Sequence, residues 1–184
     1  MTNSLLLIPS AQFVDAEMQN EFGMIPPALL PVGNSLLIEK QMHSLTNVPE
    51  KCILTLPSDY TLPVSHKEKL DELDVEVLYV PSALSLGYSI LYALNSIETK
   101  LDHIYILYGD TLITELSLTP VNAFSLHSPT ANFSWSYPND NSENFETGFM
   151  GDENQKQVVS GFFSFKYPMA LIRMITVSNG DFIS

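Results

Sequence analysis

Short, fully apolar runs alternate with helix-period stretches over the first two-thirds of the chain. Ser4–Pro9, Lys51–Leu56, Val75–Val80 and His103–Tyr108 are each strand-length, and Ser4–Pro9, an apolar run closed by proline, reads as a buried strand. Between them, Leu36–Leu45 has helical spacing, with Leu36, Ile38, Met42 and Leu45 as its apolar set and Leu37, Gln41 and Ser44 apart from it. Lys67–Leu73 reads as a short polar helix. Ser82–Ile97 gives the clearest helical signal, because Leu86, Ile90, Leu91, Leu94 and Ile97 fall on one face. Ser82 or Ser85 is available as its cap. Ser10–Pro27 reads as a long connection closed by Pro26-Pro27. Strands alternating with helices in this order predict a parallel sheet with right-handed crossovers.

The pattern changes after Asp110. Asn132–Tyr137 alternates, Phe145–Met150 and Gln157–Phe165 look extended, and Pro138–Asn144 is a polar turn region. Phe133, Trp135 and Tyr137 share one face of their segment, a stripe read as core rather than interface. Pro168–Thr176 reads as a helix. The expected fold is α/β and Rossmann-like: a mostly parallel sheet flanked by helices, with antiparallel or mixed strands added in the C-terminal part. One domain, residues 1–184, accommodates it.

Composition removes several function classes. No apolar run approaches the roughly 18 residues of a membrane span, and Met1–Asn3 lacks the basic start of a secretory leader. A cytoplasmic protein is expected. The chain carries 8 basic and 21 acidic residues, a net charge of −13, so nucleic acid, which requires clustered Lys and Arg, is not an expected partner. The single cysteine, Cys52, lies inside an apolar run and reads as a small core residue rather than a reactive thiol. His43, His66, His103 and His127 have no metal-ligand spacing and read as surface or satisfied histidines.

Ligands of open parallel sheets bind beyond the carboxyl ends of the strands. That draws attention to Pro9–Pro27, Pro57–Tyr60, Pro81–Tyr88 and Gly109–Thr111. Asp110 follows a buried apolar strand directly and sits beside a glycine. It suits Mg²⁺ on a phosphate ligand, and equally a turn or helix-cap aspartate.

Pro27-Ala28-Leu29-Leu30-Pro31-Val32-Gly33-Asn34-Ser35-Leu36-Leu37-Ile38 resembles the P-K-A-L-L-P-V-G-x-x-P-L-I stretch of the sugar-phosphate nucleotidyltransferases. Ile104–Leu112 is similar to that family's strand ending in N-G-D-x-L, and Leu86-Gly87-Tyr88-Ser89 to its G-T-A segment. Thr147-Gly148-Phe149 and Ser160–Phe165 resemble its Y-G-V and G-I-Y-x-F strands. The matches occur in family order over most of residues 4–165. The resemblance implies an enzyme that joins a nucleoside triphosphate to a sugar-1-phosphate or similar phosphate ester, releasing pyrophosphate and yielding an activated nucleotide precursor for surface polysaccharide. It implies that Asp110 binds Mg²⁺ and that Ser10 and Ala11 open the phosphate loop. Gly87, Tyr88 and Gly109 would lie on the nucleotide side, and Gly148 and Gly161 on the sugar side.

The same comparison exposes departures. The family loop reads G-x-G-T-R, its glycines giving backbone amides access to phosphate, yet Pro9–Phe22 contains no glycine. Pro27 stands where the family has its catalytic lysine. Between Pro9 and Pro27 there are three acids (Asp15, Glu17 and Glu21) and no base, and the first basic residue of the chain is Lys40. Lys51 belongs to the opposite end of the sheet. Arg173, the sole arginine, falls in the last predicted helix, the E-K-P sugar-phosphate motif is missing, and Asp181 is the one candidate second metal ligand. Two functions follow: a nucleotidyltransferase, or a non-catalytic binding or regulatory domain that keeps the fold. The expected ligand is a nucleoside triphosphate or nucleotide sugar. The chain is also read as the N-terminal portion of a longer protein with a fused or neighbouring enzyme domain.

Overall fold

The computed structural model describes residues 3–128, 134–138, 145–149 and 157–182, with backbone pairing alone considered in the two middle segments. In chain order the elements are β1 Ser4–Pro9, α1 Ala16–Phe22, a 3₁₀ turn Pro27–Leu29, β2 Pro31–Val32, β3 Ser35–Leu36, α2 Leu37–Ser44, β4 Leu45–Thr46, β5 Lys51–Pro57, α3 Val64–Glu72 and β6 Val75–Val80. They continue with α4 Leu86–Asn95, β7 His103–Leu107, β8 Leu116–Ser117, β9 Ala123–His127, β10 Ser134–Pro138, β11 Phe145–Phe149, β12 Val158–Phe165 and α5 Pro168–Val177.

The main sheet has the order β6-β5-β1-β7-β12-β9. Strands β6, β5, β1 and β7 are parallel, and β12 runs antiparallel to both β7 and β9. Strands β10 and β11 form a separate antiparallel ribbon in which Trp135 pairs with Gly148. The expected architecture is therefore present: a mostly parallel sheet flanked by helices, with antiparallel strands added late. The chain leaves β1 through β5 and β6 on one side and returns to the other side as β7. The switch point thus lies between β1 and β7.

Both faces of the central strands are buried, which explains their unbroken apolar runs. Leu6 and Ile8 pack with Leu29, Ile38, Leu54 and Leu70 beneath α2 and α3. Leu5 and Leu7 pack with Ile90, Leu94, Ile106 and Ile175 beneath α4 and α5. Cys52 is 3% exposed, and burial pushes its thiol up to about 11, as suits a core residue. Ser85 caps α4, its Oγ accepting from the Tyr88 amide. Among the described residues no helix is long and apolar enough to cross a membrane.

Several elements differ from the sequence reading. The Ser10–Pro27 connection contains α1, capped by Asp15, whose carboxylate accepts from the Met18 amide at 2.9 Å. Helix α1 buries no residue, so it leaves no hydrophobic period to detect. Helix α2 buries Leu37 and Gln41 together with Ile38, whereas the sequence pattern set both Leu37 and Gln41 apart from the apolar face. Strand β9, which the sequence reading did not single out, is anchored through its pairing to β12. The turn expected over residues 139–144, together with Phe133 and Met150, lies outside the described residues.

His103, read as a surface or satisfied histidine, is buried at 2% exposure. Its Nε2 lies 2.8 Å from Ser164 Oγ, while that hydroxyl donates its one proton to the Val121 or Thr119 carbonyl. Nε2 must then be the donor, which leaves Nδ1 buried without a hydrogen-bond partner among the described residues. Burial, and after it the charge of Lys166, holds the imidazole below the usual histidine value. The folded state thus prefers neutral His103. This contribution is complete above the unfolded value near 6.5 and is lost as pH falls through the lowered folded value. Urea midpoints taken at about pH 7.5 and 5.5 should therefore fall on acidification, and the fall should be smaller in His103→Gln. His66, also held low by burial and by Lys69, supplies a remainder.

Candidate functional site

The β1/β7 switch point opens into a cleft of about 230 Å³. Its walls come from Pro9–Gln12 after β1, Pro27 of the 3₁₀ turn, Leu86 and Ser89 of α4, and Tyr108–Asp110 after β7. Five residues singled out in the sequence are brought together there: Ser10, Ala11, Pro27, Gly109 and Asp110.

The cleft is held by hydrogen bonds that its own loops supply. The Gly109 amide donates to the Pro9 carbonyl at 3.0 Å, latching the two strand exits. A side chain on Gly109 would place Cβ 2.7 Å from Ser10 Cβ, so the contact needs glycine. Ser10 is spent on structure: its amide donates to Thr55 Oγ1 at 3.0 Å, and its Oγ accepts from the Ala28 amide at 3.0 Å. The first amide of the expected phosphate loop therefore points into the protein.

Gln41 is the residue that sequence reasoning missed. It is 0% exposed, and its Nε2 donates to the Tyr108 carbonyl at 2.8 Å and the Thr111 carbonyl at 2.6 Å. Two carbonyl partners require the NH₂ end of the amide. The turn bearing Asp110 is thereby clamped from α2. The sequence carried no signal for it, because the helical spacing sets Gln41 apart from the apolar face.

Asp110 is exposed at the cleft edge, and its Oδ1 accepts from Thr111 Oγ1 at 3.2 Å. Tyr108 beside it has a buried hydroxyl without a hydrogen-bond partner among the described residues. Burial, then the Asp110 charge, holds that phenol far above its ordinary value, so it stays protonated and is no general base.

The remaining predicted residues lie elsewhere. Gly87 faces the backbone of Gly180 rather than the cleft, and Ser85 Oγ donates to the Gly180 carbonyl at 3.1 Å. Tyr88 lies over Gly180, whose φ of +83° and close approach to the ring both exclude a side chain. Gly87 and Asp181 line a neighbouring cavity with Asn179 and Phe182, so Asp181 is not a cleft residue. Gly161 sits in β12 against Tyr108 and Thr111, and Gly148 lies in the β10–β11 ribbon.

Among the described residues that line the cleft, Asp110 is the only charged one. Asp15, Glu17 and Glu21 are exposed at α1 and are not among the described residues that line the cleft. Among the described bases, Lys51 starts β5 and pairs with Glu76 at 4.0 Å, and Lys69 pairs with Glu39 at 2.6 Å. Lys100 and Lys166 lie near the start of β7, the end opposite the cleft. Lys40 and Lys67 are on α2 and α3, and Arg173 is exposed on α5. Mg²⁺ usually keeps several waters and binds one or two carboxylates plus substrate phosphates. Asp110 alone fits that role only for a ligand that brings the phosphates. No group of three or more His, Cys, Asp or Glu suited to a metal occurs among the described residues.

No family model and no curated protein sequence matches the chain. Solved structures do match in fold. A nucleoside-diphosphate-sugar pyrophosphorylase from Vibrio cholerae RC9 superposes with a TM-score of 0.65 at 10% identity, over 96% of this chain and 79% of that one. The inositol-1-phosphate CTP transferase from T. maritima gives 0.61 at 16% identity, over 100% and 84%. HddC from Yersinia pseudotuberculosis, complexed with GMP-PN, gives 0.57 at 16% identity, over 91% and 80%. The chain has the nucleotidyltransferase fold.

Proposed function

We propose that this chain, a domain with the nucleotidyltransferase fold, binds a ligand at the β1/β7 switch point without transferring a nucleotidyl group. It would act as a binding or regulatory domain for a fused or neighbouring enzyme in the cytoplasm. The observation that carries this reading is the charge of the cleft: among the described residues its charged lining is one carboxylate, Asp110, and Pro27 occupies the wall where the resemblance places a lysine. A nucleotidyl transfer must neutralise charge developing on phosphate oxygens. Loss of even one well-placed electrostatic group costs about 10²–10³ in rate. A phosphate charge about 4 Å from Asp110 would instead meet repulsion of about 4 kcal/mol at an effective dielectric near 20.

A second reading has one observation in its favour. Asp110 stands exposed at the carboxyl end of β7, beside the switch point, where a carboxylate could hold Mg²⁺ on a nucleoside triphosphate. The domain would then make an activated nucleotide precursor for surface polysaccharide from a sugar-1-phosphate or similar ester. Mg²⁺ would supply charge neutralisation on the phosphates.

Pyrophosphate release separates the two. Purified protein with each of four nucleoside triphosphates, a panel of sugar-1-phosphates and Mg²⁺ should release pyrophosphate at the rate of buffer alone. Release above that rate that disappears in Asp110→Ala would establish the second reading.

A further inference from the structure

We infer that the switch-point cleft takes an unphosphorylated amino sugar, a single ring with a free ammonium group. This rests on the cleft being the ligand site and adds the class of ligand.

Three observations lead there. The volume, about 230 Å³, lies below the roughly 300–1,000 Å³ of pockets that enclose drug-sized ligands. It suits one ring rather than a whole nucleotide. The walls are divided: Pro9, Ala11, Pro27 and Leu86 are apolar, while Gln12, Ser89 and Asp110 are polar. A pyranose is divided in the same way, with C–H groups on its faces and hydroxyls at its edge. The charge that the described residues bring to the cleft is one carboxylate. Oδ1 of Asp110 accepts from Thr111 Oγ1 at 3.2 Å, which orients the group and leaves lone pairs for a ligand, since an ionised carboxylate offers about four acceptor sites.

An ammonium group satisfies those lone pairs with charge-assisted hydrogen bonds, roughly twice as strong as neutral ones. A phosphate in the same place meets like charge. The protein's net charge of −13 adds a long-range field that raises the local concentration of cations and lowers that of anions. The cleft is also pre-formed: Gly109 to Pro9, Ser10 to Thr55 and Ala28, and Gln41 to Tyr108 and Thr111 fix its walls. Little ordering entropy is then lost on binding.

The test is a thermal-shift and calorimetric series on the full chain at about 50 mM salt. Probes are glucosamine, galactosamine and mannosamine, glucose as the neutral parent, glucose-1-phosphate, and ethanolamine as an amine without the ring. At saturating concentration at least one amino sugar should raise Tm by about 2–4 °C. Glucose and ethanolamine should bind it about tenfold more weakly or worse, and glucose-1-phosphate should give no shift. Asp110→Asn, an exposed and conservative change, should weaken the amino sugar about tenfold and so bring its affinity close to that of glucose. The inference is overturned if glucose-1-phosphate binds as tightly as the amino sugar, if Asp110→Asn binds the amino sugar normally, or if no amino sugar shifts Tm at about 20 mM. Failure here leaves the non-catalytic reading intact. Pyrophosphate release would overturn that reading whatever the sugar series shows.

Discussion

Gln41→Ala is expected to lower stability by about 2–4 kcal/mol, the largest effect predicted for a polar residue of this protein. Its amide donates to two carbonyls of the β7 exit, at 2.8 and 2.6 Å, from a position with 0% exposure. Each lost hydrogen bond costs about 1 kcal/mol, more where the acceptor is left buried. Thr111 is the more affected acceptor, because the Tyr108 carbonyl also receives the Thr111 amide at 3.1 Å. Removing the bulk of a buried glutamine adds a cavity cost. A partial offset comes from Gln41 Oε1, which is buried without a partner and disappears with the side chain. At about 2–4 °C per kcal/mol for a chain of this size, Tm should fall by roughly 4–16 °C. Gln41→Glu sharpens the test. It keeps the shape but presents acceptor oxygens or a buried charge to two carbonyls, and should destabilise at least as much as alanine. Urea denaturation that placed both variants within about 0.5 kcal/mol of the wild type would show that the clamp carries no weight.

Pro27→Lys is expected to tighten pyrophosphate binding about tenfold or more. Pro27 is half-buried in the cleft wall at the first position of the 3₁₀ turn. It has no N–H to lose, and the Leu30 amide can still reach the residue 27 carbonyl, now at 3.1 Å. The local fold should tolerate the change. An ammonium group there offsets Asp110, turning repulsion of phosphate into attraction. Tenfold corresponds to about 1.4 kcal/mol, a fraction of the roughly 4 kcal/mol that a unit pair at 4 Å gains near a protein surface. Calorimetry with pyrophosphate at about 50 mM salt reads the change, which should shrink on raising salt to about 0.5 M. Equal affinities for variant and wild type would mean that the missing cation at position 27 does not set the cleft's preference.

The fold was legible because its central strands are covered on both faces. Leu5 to Ile8 and Ile104 to Leu107 carry that signal as unbroken apolar runs. The regular spacing of Ile90 and Leu94 does the same for α4. Helix α1 was invisible for the opposite reason: it buries nothing, so only Asp15 and Gly23 at its ends mark it. For the cleft, position at the end of a strand found Asp110, and the family resemblance added Ser10, Ala11, Pro27 and Gly109. The same rule could not show that Gly87 and Tyr88 are covered by Gly180, a contact between residues more than ninety positions apart. Nor could it find Gln41, whose role depends on the backbone of Tyr108 and Thr111 meeting α2. Buried polar contacts of that kind have no periodicity.

The most direct test of the account is calorimetric titration of the wild-type chain with nucleoside triphosphates in excess Mg²⁺. A cleft whose charged lining is Asp110 should give no saturable heat up to about 5 mM with any of the four. Saturable binding in the micromolar range that is lost in Asp110→Ala would contradict the account and place a working nucleotide site at the end of β7.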